Sequence, residues 1–370
     1  MKLIVNTKAL AKELEYVEKP LKLFTPDLLL KFILFEAIDN KLTLTTTNGL
    51  TLLTRTVLDL EETVKEPTAF VIPGSKLKDM VKLIDLELVT FSITDKTITM
   101  SAGKSKYRFN TTELAIPKIQ AHADLVVEGE TFTANASKFA ESLKVASGFS
   151  AKDEQSQYTL KGVELVADEV GLTARASDGH RAAEIHLEDA ADGRSNSVFL
   201  MSEGISAVSD IVTKDTDQIL TVVKAANRYR FECGSRRADV QRVNVEKFPA
   251  IEKVFASCEA NEIFAKTDVK AFSLAVQRMQ TAAAGSFNKI IVTIEDGKVL
   301  LHMAGFGDSI NEASEEVEAV TNGTGKCSLN VGYIMDYVKQ VSGIVDIRVG
   351  ETGPALLKNG SLRCMILQMQ

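Results

Sequence analysis

Ser177, Asp178 and His180 have the side-chain types of a nucleophile, an orienting acid and a base, and all three fall inside Ala176-Ser177-Asp178-Gly179-His180-Arg181-Ala182. A hydrolase would need the base to reach both the nucleophile and the acid, and residues this close in sequence do not readily close that chain. No Gly-x-Ser-x-Gly elbow is present to present a serine either. The alternative is a turn. Ser-Asp-Gly is turn chemistry, and Gly179 supplies the positive φ that puts His180 and Arg181 at a rim, where Arg181 is a candidate donor to a partner's backbone or carboxylate. The four histidines, His122, His180, His186 and His302, share no ligand spacing, and Cys233, Cys258, Cys327 and Cys364 lie far apart. Neither a metal site nor a disulfide framework is expected, the cysteines read as buried thiols, and no cofactor is called for.

The elements that carry this turn belong to a chain of 370 residues, 45% hydrophobic and 25% charged, which is ordinary for two or three soluble globular domains. The opening Met1-Lys2-Leu3-Ile4-Val5-Asn6 reaches polar residues too soon for a signal peptide, and no apolar run approaches the roughly 18 residues of a membrane span. A cytoplasmic protein without membrane contact is expected. A net charge of −7 argues against a grip on nucleic acid, but only if the charge is evenly spread.

Amphipathic helices recur at regular spacing, opening near residues 7, 74, 135, 202, 266 and 330. The first stripes Leu10, Leu14, Val17 and Leu21, the second Leu77, Met80, Val81 and Ile84, and the third Phe139, Leu143 and Ala146. The fourth carries Ile205, Val208 and Val212, the fifth Phe272, Ala275, Val276 and Met279, and the sixth Ile334, Tyr337, Val338 and Val341. A short β-like run precedes each helix and a hairpin follows it, with turns at Asp39-Asn40, Thr94-Asp95, Asp168-Glu169, Ala226-Asn227, Asp296-Gly297 and Thr352-Gly353. The unit is β-α-β-β-β. One such unit has too few residues to bury both its sheet face and its helix stripe, so two must share a core. Six units then give an α+β chain of three similar domains, at 1–124, 125–256 and 257–370, with borders in irregular stretches near 117–124 and 248–260.

The six helix windows sum to +5, which leaves −12 elsewhere to make the total of −7. Mildly basic helices within an acidic remainder suit a channel for a polyanion. The plain alternative is a set of solvated helix faces.

Three blocks, Ser177-Asp-Gly-His-Arg181, Lys247-Phe-Pro-Ala-Ile-Glu-Lys-Val254 and Asn330-Val-Gly-Tyr-Ile-Met-Asp-Tyr-Val-Lys339, resemble signatures of the bacterial β sliding clamp, the processivity subunit of DNA polymerase III. The length, the sixfold repeat and the opening Met-Lys-Leu-Ile-Val fit as well. The resemblance implies the DNA-clamp fold, with helices lining a ring and sheets outside. It further implies a head-to-tail homodimer around duplex DNA, bound without sequence preference, and no catalysis of its own. It implies a pocket for short linear peptides of polymerases, the clamp loader and repair proteins, walled by Leu160, Ser177, Gly179, His180, Arg181, Ala182, Pro249, Lys253, Val254, Met365, Leu367 and Met369. The tail departs from the family's Met-Pro-Met-Arg-like ending: this chain closes Ile366-Leu-Gln-Met-Gln370, and Ala182 stands where a larger aliphatic is commoner. A divergent second clamp with altered partner choice is therefore an alternative, beside the hydrolase built on Asp178, His180 and Arg181.

Geometry bears on the ring independently. Helices ~9 Å apart give a hole of only ~7 Å with six and ~24 Å with twelve, so only a doubled chain admits a duplex ~20 Å across. Closure is expected by strand pairing between residues 104–112 and 299–303, alternating runs at opposite ends of the chain. Phe109, Gln277, Arg278 and Met279 lie nearby by resemblance. The DNA-facing cations are expected to be Lys12, Lys19, Lys22, Lys76, Lys138, Lys144, Lys152 and Lys270. Loss of the tail proline is expected to free the backbone before Met369, so that Gln368→Pro tightens peptide binding.

Overall fold

The computed structural model describes residues 1–94, 97–124, 127–153, 156–188, 196–212, 218–243, 248–282, 288–304 and 312–370. Lys247 of the second signature block and Asp95 of one hairpin turn lie outside them. The helices are α1 (Thr7–Val17), α2 (Leu77–Lys82), α3 (Ala115–Ala123), α4 (Ala136–Ser147), α5 (Ser202–Ser209), α6 (Ile251–Glu259), α7 (Val269–Ala282) and α8 (Val331–Val338). Six of these are the repeat helices. Each is preceded by one strand and followed by three, as the β-α-β-β-β reading requires, with one further short strand, Val320–Asn322, after the three that follow α7.

Four repeat helices open on the same device, an Asn or Asp whose side chain accepts from the first turn. Asn6 Oδ1 takes the N–H groups of Lys8 and Ala9 at 3.1 Å, Asn135 that of Lys138, Asp268 that of Ala271, and Asn330 that of Gly332. Such a cap contributes about 1 kcal/mol each, and it sets the start of the helix where the apolar stripe begins. Leu10, Leu14 and Val17 in α1 and Phe272, Val276 and Met279 in α7 then turn inward and are buried.

The expected irregular stretches are helices. Ala115 and Ile119 repeat at i, i+4 in α3, and Ile251, Phe255 and Cys258 at i, i+4, i+7 in α6, and these residues are buried. Pro117 sits in the first turn of α3, where its missing N–H would have had no helical partner. Helical spacing over only nine residues was overshadowed by the proline. All four cysteines are buried thiols, as the sequence suggests.

The chain divides into two compact units, Met1–Glu141 with Ala190–Val243, and Ser142–Asp189 with Asn244–Gln370. In each, paired repeats exchange their first strands. In the first unit Lys2–Asn6 pairs with Leu88–Ile93 of the second repeat, while Thr68–Pro73 pairs with Phe32–Ile38 of the first. In the second unit Phe264–Asp268 pairs with Ile344–Arg348, and Gly325–Asn330 with Lys289–Glu295. The exchange makes each repeat's sheet incomplete without its neighbour, which is a stronger coupling than two helices packing face to face.

Sheets also run on from one pair of repeats to another. Leu52–Asp59 pairs with Arg236–Gln241 in the first unit, giving an eight-stranded sheet, and Arg181–Glu188 pairs with Leu362–Ile366 in the second. The short helices α3 and α6 dock on these long sheets through the same contact. Arg237 donates to the C-terminal carbonyl of α3 at Ala123 (2.7 Å), and Arg348 to that of α6 at Glu259 (2.6 Å). A carboxylate two residues away, Asp239 or Asp346, holds each arginine. Guanidinium against helix C-terminal carbonyls answers both the unpaired acceptors and the negative end of the dipole. Among the described residues no helix is long and apolar enough to cross a membrane.

Candidate functional site

The Ser-Asp-Gly-His-Arg block is the tip of the hairpin between Gly171–Ser177 and Arg181–Glu188. Asp178 Oδ1 accepts the N–H groups of His180 and Arg181, both at 3.0 Å, and Gly179 takes φ +88°. Ser177 Oγ donates to the carbonyl of Arg181 at 2.8 Å. A hydroxyl spent on its own turn is not a nucleophile held against a base, and the hydrolase reading ends there.

Arg181 is buried, with its side chain 5% exposed. Its guanidinium donates to Asp178 (3.0 Å), Asp336 (2.8 Å) and the carbonyl of Gly148 (3.3 Å), and lies over the rings of Tyr333 (4.4 Å) and Phe149 (5.2 Å). Burial works against its charge, but the carboxylates of Asp336 and Asp178 more than offset this and leave the group more basic than usual. The expectation that Arg181 reaches out to a partner is corrected: its donors are committed inward, and it holds the rim rigid.

The sequence reading missed Tyr333, Asp336, Phe149 and Gly148 as its partners. Two of them were legible in principle, since Tyr333 and Asp336 stand at i, i+3 on α8 within the third signature block and so share a face.

The twelve expected pocket residues sort into surface and support. Ser177, Arg181, Ala182 and Met365 are buried and form the backing, with Ala182 directly opposite Met365 across the strand pair. Leu160 and Val254 are half-buried. Gly179, His180, Pro249, Lys253, Leu367 and Met369 are exposed. A Cβ placed on Gly179 would stand 3.6 Å from Leu160 Cδ1, so the turn and Leu160 adjoin. Arg175, in the strand leading to the turn, ion-pairs with Glu252 in the first turn of α6 (2.5 Å), which sets Lys253 and Val254 beside the same hairpin.

The tail is held rather than free. Leu367 N–H donates to His180 O (2.9 Å), Met369 N–H to Ser328 O (2.8 Å), and the Gln368 side-chain amide to Gly353 O (2.8 Å). Gln368 therefore replaces the expected proline with a hydrogen bond, and there is no free backbone before Met369 for a proline to order.

Of the expected DNA-facing lysines, Lys12, Lys76, Lys138, Lys144, Lys152 and Lys270 are exposed. Lys19 is mostly enclosed and bonds Asp210 at 2.7 Å, while Lys22, 64% exposed, pairs with Glu18. Among the expected interface residues Phe109 is half-buried on the edge strand Ser105–Asn110, and Gln277 and Arg278 are exposed on α7. Met279 is buried and offers no surface. The expected edge at 299–303 is corrected as well: Lys298–Ala304 is bonded on both sides, Leu301 facing Val292 and Glu315. Among the described residues the outer strand on that side of the sheet is Glu312–Glu318, with Gly325–Asn330 at the opposite edge. Alternation alone does not separate an inner strand from an edge strand.

Residues 1–119 match the family model of the DNA polymerase III beta subunit, N-terminal domain. The chain is 22% identical over 283 residues to the beta sliding clamp of Staphylococcus aureus, covering 75% of this chain and 72% of that one. It is 24% identical over 291 residues to that of Staphylococcus epidermidis, covering 77% and 74%. Solved structures similar over the whole chain include a Pseudomonas aeruginosa sliding clamp bound to griselimycin (TM-score 0.88, 21% identity, 100% and 99% covered). The beta subunit of DNA polymerase III from Thermotoga maritima is similar too (TM-score 0.87, 21% identity, 100% and 99% covered).

Proposed function

Because the chain belongs to the bacterial DNA polymerase III β-subunit family, we propose that it is a sliding clamp, a non-catalytic ring that encircles duplex DNA and tethers the replicative polymerase for processive synthesis. The observation that carries this is the sixfold β-α-β-β-β repeat running the length of the chain, with its first 119 residues matching the family model. The repeats group as three domains, 1–124, 125–256 and 257–370, and two copies supply the twelve helices that a duplex-sized hole requires. It acts in the cytoplasm.

Closure is by the edge strands Ser105–Asn110 and Glu312–Glu318 of two copies. Lys106 and Arg108 are exposed on the first, and Glu312, Glu316 and Glu318 on the second, so unlike edges attract while like edges repel. That charge difference fixes a head-to-tail order. Arg278 sits against the acidic strand, bonded to Glu315 at 2.6 and 2.7 Å. DNA is held loosely by Lys12, Lys22, Lys76, Lys138, Lys144, Lys152 and Lys270, through counterion release and without base readout.

The polymerase, the clamp loader and repair proteins dock by short apolar peptides on the surface of Leu160, Gly179, His180, Pro249, Val254, Leu367 and Met369, over the rigid Arg181 support. The decisive experiment loads the purified protein onto nicked circular DNA and then linearises the DNA. Retention on circles and release from linear ends is the expected result; equal dissociation from both would sink the reading.

A further inference from the structure

Phe24 is 77% exposed, and Leu28 and Leu50 beside it are 79% and 44% exposed. Large apolar side chains left in water singly are ordinary, but these three stand on one built scaffold. Lys31 Nζ donates to the carbonyls of Leu21 (2.8 Å) and Leu23 (2.9 Å), the Asn48 amide donates to the carbonyl of Phe24 (3.2 Å), and the carboxylate of Asp27 accepts from Leu29 N–H and is fixed by Lys118. The segment 21–28 is thus pinned at its carbonyls, with Leu21 and Leu23 half-buried and Phe24 and Leu28 outward.

We propose that this loop is a stacking platform for an unpaired base of DNA, with Phe24 meeting the base and Lys22 its phosphate. The proposal rests on the reading that α1 faces DNA. Two observations choose a nucleic acid over a protein partner. The loop continues directly from α1 through the short turn Lys19–Lys22, so Phe24 lies at the end of the run that carries Lys12 and Lys22. Its charge is also positive on balance: Lys19, Lys22, Lys31, Lys78 and Lys118 stand against Glu18, Asp27, Asp79 and Asp210, and each of those carboxylates is already paired with a lysine. Cations beside an exposed aromatic ring form the recognition unit of single-stranded nucleic acid, because every base offers a π-face. A duplex within a ring presents no open base, so the platform acts where the duplex ends in a single-stranded overhang.

The chain has no tryptophan, so Phe24→Trp creates a single fluorophore at the platform. At low salt, a duplex with an oligo-dT overhang should quench this emission saturably, and a blunt duplex of equal length should not. The wild type should bind the tailed duplex roughly five- to tenfold more tightly than the blunt one, and Phe24→Ala should bring that ratio to about one. Equal quenching by blunt duplex, no quenching by the tail, or a preserved ratio in Phe24→Ala would each overturn the proposal. So would emission that responds only to a Gln-Leu-x-Leu-Phe peptide, which would assign the patch to protein docking. A protein that stays on circles yet shows no overhang preference loses this platform and keeps its function as a clamp.

Discussion

Two hairpin tips, one in each compact unit, are built from the same parts and serve different ends. At Asp178 the carboxylate accepts two backbone N–H groups, Ser177 donates to the carbonyl of Arg181, and Gly179 turns at φ +88°. At Asn48 the side-chain oxygen accepts from Leu50, Thr51 and Leu52, Thr47 donates to the carbonyl of Leu52, and Gly49 turns at φ +77°. Beneath each glycine lies a leucine from a short 3-10 turn, Leu160 or Leu30. Leu30 is buried in a cluster with Leu34, Val71, Ala115 and Ile119, the last two supplied by α3, whereas Leu160 is half-exposed. A turn does not make a docking site. What decides it is whether the unit's own linking helix covers the leucine.

The two acidic or amide side chains differ for the same reason. Asp178 has a second oxygen that binds the Arg181 guanidinium, while the Asn48 amide, neutral, bonds Phe24 O and Thr51 Oγ1. The largest effect should come from Arg181→Ala, which strands the Asp178 and Asp336 carboxylates beside two aromatic rings. We expect a loss of about 3 kcal/mol in urea unfolding. Asn48→Ala, with no charge to strand, should cost only about 1 to 2 kcal/mol. Equal losses would erase the distinction between a charged support and a neutral one.

The glycines test the covering leucine. An alanine at either position is strained by its positive φ, at about 1 kcal/mol. At Gly49 the new Cβ would also stand 2.6 Å from buried Leu30, against 3.6 Å from Leu160 at Gly179. Gly49→Ala should therefore lower the melting temperature more than Gly179→Ala, by about a further 1 kcal/mol or more of overpacking. The reverse order would mean that the Gly49 tip is not closed.

Binding separates the tips next. Met369→Ala should weaken a labelled Gln-Leu-x-Leu-Phe peptide by about tenfold in an anisotropy titration, for the loss of one anchored side chain. Gln368→Pro should bring no gain, because the tail is already fixed at residues 367, 368 and 369. Tighter binding by the proline variant would show that the tail is disordered before the peptide arrives.

The smallest expected effect is a pH dependence confined to the closed tip. A Cβ placed on Gly49 would stand 3.5 Å from Nε2 of His122, on α3, and burial, with help from Arg228, depresses the pKa of that histidine while Asp27 opposes. The folded protein resists protonating it and the unfolded chain does not. Stability should hold above the ordinary histidine range near 6.5 and fall as pH drops from there toward the lowered value. His122→Gln should flatten that slope in denaturant titrations at pH 5 to 7; an unchanged slope would assign it to other groups.

Much of the fold was legible because local patterns carried it. The stripe Leu10-Leu14-Val17 and its counterparts fixed the six helices, the Asn and Asp caps fixed the starts of four of them, and the turn chemistry at Asp39-Asn40 or Asp296-Gly297 fixed the hairpins. The nine-residue α3 and α6 were obscured, since Pro117 and Pro249 speak for a break and so short a segment holds barely two turns of evidence. The Ser-Asp-Gly turn was legible for the same local reason, and so was its failure as a triad.

The sequence by itself thus determined the repeat, the turn at residues 177–181 and the four buried thiols, all set by periodicity, capping and hydrophobicity within a few residues. Only the tertiary structure decided which strands exchange between repeats, that 298–304 is an inner strand and 312–318 an outer one, and that Arg181 is spent on Asp336, Tyr333 and Gly148. These depend on contacts between residues as many as 155 apart along the chain, as Arg181 and Asp336 are. An arginine's five donors and a strand's two edges look the same in sequence whether solvent, a partner or a distant part of the same chain will satisfy them.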